Sequence, residues 1–150
     1  MERAIWFDMD GTIADLYGVD GWLESLINEH TKPYREARPL VNMRELGREL
    51  NRLQQAGYTI GIISWLSKNG TAEYNARVTE TKIKWLKKHL GAVEWNEIHI
   101  VEYGTPKNTV CEYPDGILFD DEIGNRKTWA LGNGLAFDEK NILEILRKMV

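Results

Sequence analysis

Two short apolar runs, Ala4-Ile5-Trp6-Phe7 and Ile117-Leu118-Phe119, each stop abruptly on acids: Asp8 and Asp10-Gly11 after the first, Asp120-Asp121 after the second. An unbroken apolar run of this length, closed by a polar turn, is the pattern of a strand buried on both faces, as parallel sheets require. Three further segments read the same way: Tyr58-Thr59-Ile60-Gly61-Ile62-Ile63-Ser64, Ile98-His99-Ile100-Val101 and Leu135-Ala136-Phe137. Helical patterns separate them. Strands alternating with helices along the whole chain predict an α/β fold with a mostly parallel sheet and right-handed crossovers. Ligands of such folds bind beyond the carboxyl ends of the strands, where these acids fall.

The helical segments carry their own signals. Over 41–57, Met43, Leu46, Leu50 and Leu53 share one face, Asn42 and Glu45 form a capping box, and Gly57 supplies the stop. Over 71–90 the spacing of Ala76, Ile83, Leu86 and Leu90 predicts the buried face, and Lys84, Lys87, Lys88 and His89 suit the negative end of the helix dipole. A last helix is expected from Asp138 as N-cap through Ile142, Leu143, Ile145, Leu146 and Met149. Residues 13–40 leave room for a minimal lid after the first strand, and no linker divides the 150 residues, so one domain over 1–150 is expected.

Composition narrows the functional classes. A formal net charge of -4 disfavours a broad nucleic-acid surface, so nucleic acid is not the favoured partner. The single Cys111 excludes an intramolecular disulfide and any multi-cysteine zinc site, and it reads as a small packed residue. No apolar run nears the ~20 residues of a membrane span, and acids follow too soon for a signal peptide, so no membrane partner and a cytoplasmic address are expected.

The acids carry the chemistry. Asp8 and Asp10, two positions apart at a strand end, can face one side, and Gly11 permits a turn whose amides could approach an anion. Asp120 and Asp121 add two carboxylates from another strand end. A like-charged pair ~4 Å apart repels by about 4 kcal/mol near a protein surface. Such a cluster calls for a hard divalent cation, and oxygen-only donors favour Mg²⁺. Ser64 offers a hydroxyl at its strand end, and Lys107, in the loop before the last acidic pair, offers a point charge for phosphate oxygens. Charge compensation, a carboxylate nucleophile and phosphate donors are the parts phosphoryl transfer needs.

Four motifs in order, Asp8-Met9-Asp10-Gly11-Thr12, Ser64 after Ile62-Ile63, Lys107, and Asp120-Asp121 after Leu118-Phe119, resemble the haloacid dehalogenase superfamily of phosphohydrolases over residues 5–121. The resemblance implies a three-layer Rossmann-like core, Asp8 as the nucleophile forming an aspartyl-phosphate and Asp10 as the acid and base. It implies Mg²⁺ held by an Asp8 carboxylate oxygen, the Asp10 backbone carbonyl and Asp120, with Asp121 close by as ligand or neighbour. Gly11, Thr12, Ser64, Trp65 and Lys107 would surround the phosphoryl group. Asp10-Gly11-Thr12-Ile13-Ala14-Asp15 and the acids followed by Asn125 are similar to the 5'(3')-deoxyribonucleotidase branch, although 13–40 is much shorter than the cap of those enzymes.

The expected substrate is thus a small phosphorylated metabolite, with a nucleotide as one candidate and a polynucleotide 3'-phosphate as the alternative. A third reading is a non-catalytic module binding phosphate or Mg²⁺. A signalling receiver domain does not fit, because its acidic pair follows the first strand and its phosphorylated Asp lies on a later one. Among the remaining polar and aromatic residues, Asp15 is expected to cap the first lid helix, and His30, His89 and His99 lack metal-ligand spacing. Arg126 and Lys127 fit either a phosphate or solvent. Tyr17, Trp22 and Tyr34 read first as packing aromatics, and Trp65, next to Ser64, is the one assigned to the site.

Overall fold

The computed structural model describes residues 3–150. All four residues of the first apolar run are buried and form β1 (Ala4–Phe7). An insert of short elements follows: β2 (Ala14–Asp15), a 3₁₀ turn over Leu16–Gly18, α1 (Trp22–Ile27), α2 (Lys32–Glu36) and β3 (Arg38–Pro39). The chain continues through α3 (Met43–Gln55), β4 (Thr59–Trp65), α4 (Ala72–His89), β5 (Glu97–Val101) and a 3₁₀ turn over Lys107–Thr109. It ends with β6 (Ile117–Phe119), α5 (Ile123–Leu131), β7 (Leu135–Phe137) and α6 (Ile142–Arg147).

The main sheet has the order β5-β4-β1-β6-β7, every pair parallel. The two-residue period of β1 divides the core between the sheet's two faces. Ile5 and Phe7 join Ile60, Ile62 and Phe119 against Leu46, Leu50 and Leu53 of α3, Trp85 and Leu86 of α4, and Ile142 and Leu146 of α6. Trp6 joins Ile63 and Leu118 on the opposite face against Trp129 of α5. The fold is therefore the three-layer, Rossmann-like arrangement expected. Gly61, register partner of Trp6, is required there, because a Cβ would run into the indole.

Two local expectations need correction. In α4 the buried side chains are Tyr74, Val78, Lys82, Trp85 and Leu86, whereas Ala76 is exposed and Ile83 only partly covered. The helix is rotated from the expected phase because the insert packs against Tyr74 and Val78, in a small cluster with Leu16 and Tyr34. The last helix begins at Ile142 rather than at Asp138, whose Oδ1 instead accepts the Lys140 amide in a tight turn. Asn42 caps α3 as expected, accepting the Glu45 amide at 3.1 Å. Among the described residues no helix is long and apolar enough to cross a membrane.

Candidate active site

The site grows out of strand register. Phe7 of β1 pairs with Ile62 of β4 and with Phe119 of β6, so Asp8 and Asp120 leave neighbouring strands at the same level. The Asp8 amide donates to the Phe119 carbonyl at 2.9 Å, extending the ladder by one rung. Asp8, Asp120 and Asp121 each offer a carboxylate oxygen, all within 4.8 Å of one another. Acids more than a hundred positions apart in the chain thus meet at one sheet end.

The turn after Asp8 is held from within. The Met9 carbonyl accepts the amides of Thr12, Ile13 and Ala14, and the Gly11 amide donates to the Ala14 carbonyl. Gly11 has φ of +83°, and a side chain there would strike the Asp121 carboxylate and the Tyr17 ring. The turn therefore needs glycine for conformation and clearance, and its Gly11 and Thr12 amides are engaged internally rather than offered to an anion. Thr12 is fully buried; its hydroxyl donates to Asp8 Oδ2 at 2.9 Å and accepts the Asp121 amide at 3.1 Å. It ties the first acidic turn to the last.

Two buried lysines partition the acids. Lys107 Nζ donates to Asp8 Oδ1 at 2.9 Å and to Asp120 Oδ2 at 2.7 Å. Lys82 Nζ donates to Asp10 Oδ2 at 2.9 Å, Ser64 Oγ at 2.7 Å and the Trp65 carbonyl at 2.6 Å. Lys82 lies outside the expected site residues, and the signal for it is its place four residues beyond Val78 on the buried stripe of α4. Asp120 is braced further by the Asn125 amide group at 3.0 Å, and Arg126 donates to its backbone carbonyl at 2.9 Å. Both donors come from the first turn of α5, so Arg126 serves the acid rather than open solvent.

Burial and mutual repulsion set the electrostatics. Burial, then the Asp8 charge, pushes Asp120 up to about 6 despite Lys107. Burial, then Asp8, pushes Asp121 up to about 8. Burial also raises Asp10, with Lys82 opposing. For Lys107, burial acts downward, but the attraction of Asp8 and Asp120 outweighs it and the net direction is up. Carboxyl groups driven toward the neutral form by one another gain most from a cation among them. The oxygen-only donor set, with one carboxylate from each of three acids, fits a hard divalent ion. The Asp10 side chain, held by Lys82, stands outside that donor set.

Above the acids lies a cavity of about 360 Å³. Asp8, Asp10, Asp120 and Asp121 line its floor, and Tyr17, Trp22, Leu23, Leu26, Ile27 and Tyr34 of the insert line its wall. Trp65 lines it as well, fixed by an Nε1 hydrogen bond to the Thr105 carbonyl at 2.8 Å, with its ring centroid 4.9 Å from that of Tyr103. Ser67, Lys68 and Asn69 complete the rim on the β4 side. Ser64 and Lys107 do not reach the lining. Ser64 is fully buried beneath Lys82, and Lys107 lies behind Asp8 and Asp120.

The remaining singled-out residues fall elsewhere. Asp15 caps the 3₁₀ turn through the Gly18 amide at 3.0 Å. The His99 ring meets the Glu97 carboxylate at 2.6 Å on an edge strand, and the His30 carbonyl accepts from the Tyr74 hydroxyl. His89 sits against the Trp85 ring. Burial pushes the Cys111 thiol up to about 11, the direction of an unreactive packed cysteine.

No family model matches the chain, and no curated protein matches it in sequence. Solved structures do share its fold. A D,D-heptose 1,7-bisphosphate phosphatase from Burkholderia thailandensis superposes with a TM-score of 0.55 at 15% identity, covering 89% of this chain and 75% of that one. The same-named phosphatase from B. bronchiseptica, complexed with magnesium and phosphate, gives 0.53 at 15% identity over 91% and 78%. An uncharacterized protein from Corynebacterium glutamicum gives 0.51 at 15% identity over 98% and 94%.

Proposed function

We propose that this chain is a phosphohydrolase of the haloacid dehalogenase type, dependent on Mg²⁺ and working through an aspartyl-phosphate on Asp8. The observation that carries the reading is the meeting of Asp8 with Asp120 and Asp121 at one sheet end, with Lys107 bridging Asp8 and Asp120, beneath an open cavity. The phosphatases among the fold neighbours, one of them complexed with magnesium and phosphate, support the same reading. Residues 1–150 act as one unit, with 13–40 as its lid.

In this reading an Asp8 carboxylate oxygen attacks phosphorus while the bond from phosphorus to the leaving oxygen breaks. Lys107 and Thr12 each hold one oxygen of that carboxylate, which keeps its remaining lone pairs for attack. Asp10 gives its proton to the leaving oxygen. It then takes a proton from the water that adds to phosphorus, and the bond to Asp8 breaks to release inorganic phosphate. Asp8, the Asp10 backbone carbonyl, Asp120 and Asp121 would hold Mg²⁺, which when bound offsets negative charge between the acids and the phosphoryl oxygens. Of the groups assigned to the phosphoryl site, Trp65 borders it directly, Thr12, Gly11 and Lys107 act through Asp8 and its turn, and Ser64 acts from behind Lys82.

The substrate is a small phosphomonoester with an aromatic body, a nucleoside monophosphate before a sugar phosphate. Tyr17, Trp22, Tyr34, Trp65 and Tyr103 on the cavity wall support this, since aromatic faces stack on a base. The test is a panel of 5'- and 3'-nucleotides, sugar phosphates and a 3'-phosphorylated oligonucleotide, assayed with Mg²⁺ for phosphate release. Turnover of mononucleotides, abolished by Asp8→Asn, is expected. Exclusive turnover of the oligonucleotide would move the substrate to polynucleotide ends. A wild type silent across the panel would leave only a binding module.

A further inference from the structure

We propose that Lys82 is the positioning residue for Asp10, fixing the carboxyl group that exchanges protons in the reaction and linking it to the end of β4. The inference rests on the phosphatase reading above and adds to it a residue from a helix that carries none of the four motifs. Lys82 lies within α4 and is 1% exposed. Its ammonium has three N–H donors and meets three acceptors, Asp10 Oδ2, Ser64 Oγ and the Trp65 carbonyl. No donor remains for a substrate. Lys82 thus works through its partners, and Asp10 is the one among them on the cavity floor.

Stability is a poor reason for a lysine at this place. Its neighbours on the buried stripe, Tyr74, Val78 and Leu86, are apolar or aromatic, and a well-packed apolar residue is often as stabilising as a buried ion pair. What the lysine supplies is direction. By holding Oδ2, it leaves Oδ1 as the oxygen for proton transfer and stops the short side chain from turning toward the Asp8, Asp120 and Asp121 cluster. The two lysines keep the neighbouring acids apart: Lys107 serves the nucleophile, Lys82 the proton carrier. The Tyr34 ring, 5.1 Å from Nζ, covers the ammonium on the lid side, so the same contact joins the Asp10 anchor to the insert.

A residue that positions a general acid matters in proportion to how badly the leaving group needs a proton. The experiment compares kcat/KM of the wild type and Lys82→Met on two substrates with Mg²⁺, a nucleoside monophosphate and p-nitrophenyl phosphate, whose leaving group departs as a stable anion. The expected loss is about 100-fold on the nucleotide and under about 5-fold on the aryl ester. In an Asp10→Asn background, Lys82→Met should add little on either substrate. Lys82→Gln, which keeps an amide donor for Asp10, covers the case where the methionine variant does not fold, and it should show the same split at smaller amplitude. Equal losses on both substrates, or a full additional loss in the Asp10→Asn background, would overturn the proposal while leaving the phosphatase reading intact. A wild type that hydrolyses neither ester would remove both.

Discussion

On the floor of the cavity, Asp8, Asp120 and Asp121 stand at the ends of strands whose residues are wholly buried, and Lys107 and Thr12 fix them by hydrogen bonds of 2.7–3.1 Å. The wall is built otherwise. It comes from an insert of short elements that is anchored through the buried Leu16 and Tyr34 but presents a largely exposed α1, with Leu23 55% and Ile27 71% exposed. The floor is polar and buried, the wall apolar and partly exposed. In the proposed reading the sheet carries the chemistry and the insert the selection, because precise geometry needs packed surroundings and an adaptable wall does not.

Variants at the floor should act on the reaction itself. Asp8→Asn is expected to lower kcat/KM by about 10⁴-fold or more on any phosphomonoester, whatever its body, as loss of a nucleophile does. Steady-state assays across the panel check this; a loss that varies with the substrate's body would blur the division. Lys107→Met leaves Asp8 and Asp120 without their shared cation, and a buried charge stripped of its partner costs about 3 kcal/mol. Thermal melts in a chelator should show the drop, with Mg²⁺ restoring part of it by binding the folded chain.

The floor should also respond to pH in a way the wall does not. Asp121 and Asp120 titrate at about 8 and about 6 in the folded chain, above the ordinary carboxyl range. The folded state therefore binds their protons more tightly than the unfolded state, and stability is gained as pH falls through about 8 and then about 6. In chelator the chain should be more stable at pH 6 than at pH 8.5 by about 1–2 kcal/mol, less than the full linkage value because Asp121 is partly exposed and screened. Denaturant melts at the two values test it, and Mg²⁺ should flatten the difference. The smallest effect belongs to the wall. Trp22→Ala should raise KM for a nucleoside monophosphate about 5- to 10-fold, the scale of one lost stacking contact, and leave a sugar phosphate unchanged.

The floor was legible in the sequence and the wall was not, for physical reasons. Buried parallel strands are continuous apolar runs, and an acid directly after one has few places to go, so Asp8 and Asp120 could be placed from their neighbours alone. The insert has no element longer than the six residues of α1, too short for a hydrophobic period to register. Lys82 lies off the face of α4 that Ala76 and Ile83 suggest, because contact with the insert buries Tyr74 and Val78 and carries the lysine inward with them. The short α5 went unassigned because Trp129 is its one fully buried side chain, which makes no pattern.

In the proposed reading, acids from the ends of β1 and β6 form one cation site. Calorimetric titration of Mg²⁺ into the wild type, Asp8→Asn and Asp120→Asn tests this most directly. One ion bound per wild-type chain, with affinity lost in both variants, is the predicted result. Wild-type affinity retained by either variant would show that the two strand ends do not share an ion.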